Sequence, residues 1–122
     1  MDEKPNRERR SKKRFRVKEG ALAFFGTVPG TIVDISETGI AINYAVFEQE
    51  PAGRFRLDIF FEDDAFNLPD IEAEVVTDSQ TMAESGNDAL QVRRLGLRFC
   101  ELSDRQQDKL RYFILHNTTC AA

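Results

Sequence analysis

Tryptophan is absent from the 122 residues, histidine occurs once, cysteine twice, and no apolar run approaches the ~18 residues of a membrane-spanning helix. Each absence excludes something. The single histidine, His116, has no nucleophile set beside it in sequence. A Ser36–His116–Asp34 triad can be drawn, but nothing beyond composition supports it, so no enzyme is expected. Cys100 and Cys120 form no C-x-x-C pair, which leaves zinc and redox motifs without support and predicts two free thiols. The acids Glu62, Asp63, Asp64 and Asp70 lack the spacing and the glycine of an EF-hand, so a solvated loop is expected there rather than a metal site. The start of the chain is charged from Asp2 onward and has no apolar core of a signal peptide. The expected compartment is the cytoplasm. In place of Trp, ten Phe supply the aromatic bulk.

What is present is a divided charge. Residues 1 to 18 hold nine bases and three acids, a net of +6, while residues 19 to 122 hold eight bases and eighteen acids, a net of −10; together they give −4. A basic arm on an acidic body suggests that the arm handles an anion. Apart from Met1, residues 1 to 13 contain nothing apolar and can bury almost nothing, so a flexible arm is expected.

From Phe15 the pattern becomes that of a folded domain. Phe15–Val17 leads into a first strand. Residues 21–25, 31–35, 40–44, 55–61, 71–76 and 95–99 then read as short strands, by alternation or by β-branched content. Val28-Pro29-Gly30 reads as a turn and Pro69 as a strand entry. Ser36-Glu37-Thr38-Gly39 joins two strands as a hairpin loop, and residues 78–90 read as a loop. About six short strands joined by turns predict an antiparallel barrel or sandwich. The chain then changes period. Ser103-x-x-Gln106 has the spacing of a capping box, and Leu110, Phe113 and Ile114 share one helical face. A helix over 104–116 is expected to pack on the barrel, with residues 118–122 a frayed tail. No repeat and no second domain is apparent.

Two constellations carry candidate chemistry. Arg10-Ser11-Lys12-Lys13-Arg14 sets two arginines four apart, with Arg9 beside them. Asp34-Ile35-Ser36-Glu37-Thr38-Gly39 sets D-x-S-x-x-G across the hairpin. Either alone is weak, since the second is also ordinary turn chemistry. Together, in this order and 20 positions apart, they resemble the PilZ domain, a bacterial receptor family for cyclic dimeric GMP (cyclic di-GMP). The flank Arg14-Phe15-Arg16-Val17 and the late Gly96-Leu97-Arg98-Phe99 followed by a helix fit as well. The resemblance spans roughly residues 7 to 117.

That resemblance implies a mainly β fold, a six-stranded antiparallel PilZ-type barrel with a C-terminal helix and a flexible basic arm. The implied layout is arm 1–13, barrel and helix 14–117, tail 118–122. It implies a receptor and no catalyst, a cyclic di-GMP ligand, no cofactor and no metal. Arg10 and Arg14 are assigned to the ligand, with Arg9 and Arg16 as helpers. The guanidinium fork suits phosphate oxygens and the O6 and N7 of guanine alike. Asp34 would accept from guanine N1–H and N2–H, Ser36 supplies a hydroxyl at the turn, and Gly39 either takes a positive φ or lets backbone come close. The arm would fold over the hairpin when ligand neutralises it, and the changed surface would be read by a downstream protein. Two alternatives stand beside this reading. One is a degenerate PilZ module acting only through protein contacts. The other is nucleic-acid binding through the arm, which the acidic body and the lack of an RNA-binding motif disfavour. Membrane insertion is not expected.

Overall fold

Apolar residues at every second position give strands with one buried face, and the computed structural model, which describes residues 13–26, 28–46, 53–80 and 91–121, holds eight strands among them. They are β1 (Phe15–Val17), β2 (Ala21–Phe25), β3 (Val28–Ile35), β4 (Gly39–Val46), β5 (Arg54–Phe61), β6 (Phe66–Gln80), β7 (Gln91–Phe99) and β8 (Thr118–Ala121). One α-helix among the described residues, α1 (Asp104–Asn117), precedes β8, and a 3-10 turn (Glu62–Asp64) joins β5 to β6. Neighbours run β2-β5-β6-β7-β4-β3, and a β2–β3 pairing closes these six strands into an antiparallel barrel. β1 lies outside the ring, between β3 and β8. The predicted fold class, a mainly β six-stranded antiparallel barrel with a C-terminal helix, is the observed one.

The interior combines aliphatic and aromatic side chains. Ile35, Ile40, Ile42, Leu57, Ile59 and Leu95 are fully buried, each contributing ~1.5–3 kcal/mol relative to exposure. Phe25 meets Tyr44 edge-on at 5.2 Å between centroids. α1 begins where the sequence predicts. Ser103 Oγ accepts from the Gln106 N–H at 3.1 Å, and Gln106 Oε1 accepts from the Ser103 N–H at 3.0 Å, which completes the capping box. Leu110 and Phe113 face inward, and the Phe113 ring packs on Phe66 at 5.0 Å and Phe61 at 6.3 Å.

Several local expectations are corrected. Val28-Pro29-Gly30 is not a turn but the start of β3. The chain reverses between Phe25 and Val28, which pair with each other, and Gly26 has φ 71, as a two-residue hairpin connection requires. Pro29 faces Phe24 of β2 only, since the β4 ladder starts at Gly30↔Tyr44, and a strand end tolerates a missing donor. Pro69 lies within β6, not at its entry. It shares a bulge with Asp70 opposite Asp58, and Asp70, at φ 58, donates its N–H to Asp58 Oδ1 at 2.9 Å. Residues 118–121, expected to fray, form β8, because β1 offers them an open edge. β6 also continues to Gln80, past the expected loop start at 78. Of the arm, residues 1–12 fall outside the described residues.

Two further bulges shape the outer wall of the barrel. Ile32 pairs with Ile42 and Asp34 with Ala41, so Val33 is an extra residue on β3. Strict alternation from buried Ile32 would aim Asp34 into the core. The bulge reverses the phase, turning Asp34 outward and Ile35 inward. Likewise Val75 pairs with Leu97 and Thr77 with Gly96, so Val76 is extra on β6 and stands 60% exposed.

Candidate functional site

A cleft of about 390 Å³ lies on the outer wall of the barrel. Its floor is one cross-strand row of registered residues, Asp34 on β3, Ala41 on β4, Gly96 on β7 and Thr77 on β6. Small side chains dominate that row, so the floor is shallow and flat. Arg14 borders it on one side, and Arg94 and Arg98 reach it from β7. Positions 94, 96 and 98 alternate with buried Leu95 and Leu97, which places both arginines and the intervening glycine on the outer face.

Asp34 is the centre of charge. Its Oδ1 accepts from Arg14 Nε at 2.8 Å and lies 2.7 Å from Arg14 Nη2, so two guanidinium nitrogens share one oxygen. Arg94 Nη2 approaches Oδ2 at 3.5 Å. The Asp34 side chain is 11% exposed, the two arginines 43% and 44%. A nearly buried carboxylate needs such partners, because ionised groups are costly to strip of water. The arginines pin it in one orientation and keep much of their own donor surface open.

The hairpin that follows Asp34 is held by Ser36. Its Oγ accepts from the N–H groups of Thr38 and Gly39, both at 3.1 Å, while the Ser36 N–H donates to the Gly39 carbonyl at 2.9 Å. Ser36 is 1% exposed. Its hydroxyl therefore serves the turn. Of the two reasons for a glycine at position 39, a positive φ is not the one that applies. Instead, a Cβ there would stand 2.5 Å from the Leu97 carbonyl oxygen. Close approach of β4 to β7 is what excludes a side chain. The Phe99 N–H donates to the Thr38 carbonyl at 2.9 Å and ties the loop to β7 as well.

The structure thus brings Arg14 and Asp34 into direct contact and sets Gly39 in the same cleft, with Ser36 beneath as the turn's fastening. Arg16 is registered opposite Asp34 on β1. Arg9 and Arg10 lie outside the described residues. Arg94, Arg98 and Val76 line the cleft although neither ligand motif includes them, Arg98 having entered only as part of the Gly96-Leu97-Arg98-Phe99 stretch. Their signal in the sequence is only the i, i+4 arginines astride Gly96, and it means something only once β7 is known to border β4. The histidine stands elsewhere, on α1, its ring 4.3 Å from that of Tyr112. Among the described residues, no group of three or more His, Cys, Asp or Glu is arranged to hold a metal ion. No described helix is long and apolar enough to cross a membrane.

Residues 8–116 match the PilZ domain family. No curated protein matches the chain. Among solved structures, the chain is similar to the PilZ domain with c-di-GMP of YcgR from Escherichia coli, with a TM-score of 0.67, 16% identity, and coverage of 88% of this chain and 89% of that one. At that identity the likeness is one of fold.

Proposed function

Because the chain belongs to the PilZ domain family, we propose that it is a receptor for cyclic dimeric GMP, binding the nucleotide in the outer-wall cleft and catalysing nothing. The observation that carries this reading is the Arg14–Asp34 pair, 2.7–2.8 Å apart, beside a flat floor of small residues. The cleft supplies both kinds of group that the ligand needs. Guanine presents two donors, N1–H and N2–H, and a carboxylate has about four acceptor sites. Arg14 occupies Oδ1, and Oδ2, which Arg94 only approaches at 3.5 Å, is left to receive the two donors of a base edge. The ligand's phosphates take arginine donors left open around the rim. Val76, exposed beside the cleft, offers an apolar contact for a purine face.

The arm completes the site. Arg10 precedes Arg14 by four residues, and a chain advances at most ~3.6 Å per residue, so Arg10 acts within ~14 Å of Arg14, with Arg9 next to it. Residues 1–18 carry +6. A dianion neutralises part of that charge, and the arm closes over the hairpin when the charged contacts exceed the entropy of ordering it. The new surface is the signal that a downstream protein reads.

Asp34→Ala tests the base-reading half. It is expected to weaken cyclic dimeric GMP by roughly tenfold or more, the scale of lost hydrogen bonds to a charged acceptor, and to reduce the preference over cyclic dimeric AMP. Competition titrations of parent and variant measure both. An unchanged preference for guanine would remove Asp34 from the reading.

A further inference from the structure

Beyond the two motifs, β7 presents a second set of cations to the same cleft. Arg94 and Arg98 sit four apart on its outer face, on either side of Gly96. They differ in what they already hold. Arg94 leans on Asp34. Arg98 Nη2 instead contacts Glu74 Oε2 at 3.0 Å, and Arg54 Nη2 approaches Glu74 Oε1 at 3.7 Å. The three residues are registered across β5, β6 and β7, with Arg54 opposite Glu74 and Glu74 opposite Arg98. Glu74 is one-third exposed, and both of its arginines are about 60% exposed. Pairs that open to solvent are weak, ~0–1 kcal/mol in the usual range. Arg98 is also registered opposite Gly39, and both line the cleft.

We propose that Arg94 and Arg98 form a second anion subsite for a phosphodiester group of the bound nucleotide, and that Glu74 is the internal competitor for Arg98. Without ligand, Glu74 holds Arg98. When a phosphate enters, Arg98 exchanges a weak, solvated carboxylate contact for a forked phosphate contact, and Glu74 keeps Arg54. This rests on the receptor reading and adds two things to it. The cleft then has arginines besides Arg14, which suits a ligand with two phosphates. Its affinity is held down by a residue that never touches the ligand. A gain on removing Glu74 reports the released Arg98 when it disappears in a variant that lacks Arg98, because removing a negative charge near the cleft also favours an anion without any release.

The test is calorimetric titration with cyclic dimeric GMP of the parent, Arg98→Ala, Glu74→Gln and the double variant at one ionic strength, with melting temperatures to confirm folding. Arg98→Ala is expected to bind about tenfold weaker, the lower end for one charge-assisted contact, and Glu74→Gln up to about fivefold tighter, the most that releasing a pair of this strength supplies. The double variant is expected to match Arg98→Ala, because a competitor has no effect once its target is gone. Arg98→Ala within twofold of the parent overturns the subsite. A Glu74→Gln gain that persists without Arg98 overturns the competition, since it would report diffuse charge instead. A parent that does not bind overturns the receptor reading itself, and that result is distinct from either failure.

Discussion

Arg14→Ala is expected to lower affinity for cyclic dimeric GMP by at least about 100-fold while leaving the barrel folded. Hydrogen bonds to charged groups contribute ~1.5–3 kcal/mol each, and ~1.4 kcal/mol is tenfold in affinity, so losing a two-pronged contact reaches that factor. Arg14 also loses its grip on Asp34, which frees the carboxylate to move. The fold depends on it little. Arg14 is 43% exposed, and Arg94 stays beside Asp34, so the nearly buried carboxylate keeps one cation and the loss is held to about 1 kcal/mol. The melting temperature is therefore expected to fall by no more than about 5 °C. Arg14→Lys separates charge from geometry. A lysine keeps the positive charge but not the planar fork, so it is expected to recover only a small part of the lost affinity. Full recovery by lysine would mean that Arg14 acts through charge alone.

Gly39→Ala is expected to act in the opposite way, on the scaffold first and the site as a result. The added Cβ meets the Leu97 carbonyl oxygen at 2.5 Å, and both partners are backbone. Neither can rotate aside, so β4 and β7 must part. Overpacking of this kind costs ~1–3 kcal/mol and occasionally more, which corresponds to a melting temperature roughly 5–15 °C lower in a domain of this size. The displaced strands carry Arg94, Arg98 and the hairpin that Ser36 fastens, so binding should weaken along with stability. Chemical denaturation and titration of the same preparation measure the two effects. Binding loss at unchanged stability would show that Gly39 approaches ligand and not only β7.

The sequence made the six-stranded barrel legible because its strands alternate cleanly, as in Ile40-Ala41-Ile42-Asn43-Tyr44, and it made the helix legible because Ser103 and Gln106 form a capping box that the fold realises. It also marked Asp34, Ser36 and Gly39 as one unit, and these do meet at one hairpin. What it could not show was phase. The extra residues Val33 and Val76 interrupt alternation without any local signature, since Val is at home in a regular strand. Yet the first turns Asp34 out to Arg14, and the second brings an apolar side chain to the cleft. Pro29 misled in the other direction, because a turn-forming residue sits well at a strand end with one neighbour. The place of the β7 arginines in the cleft was invisible for a different reason. A cleft that spans β3, β4, β7 and β6 is assembled by pairing distant segments, and no spacing within one segment encodes it. β8 was equally hidden, since its pairing depends on β1, about a hundred positions earlier in the chain.

The receptor reading stands or falls with its nucleotide, and one measurement reaches that directly. The purified full chain is titrated calorimetrically with cyclic dimeric GMP, and in parallel with the linear dimer and with cyclic dimeric AMP. The predicted result is saturable heat with the cyclic GMP dimer alone, together with a rise in melting temperature, since a ligand at about 100 times its Kd stabilises the folded state by ~2.7 kcal/mol. The contradicting result is no heat and no shift in melting temperature with cyclic dimeric GMP, which would leave the Arg14–Asp34 cleft without its nucleotide.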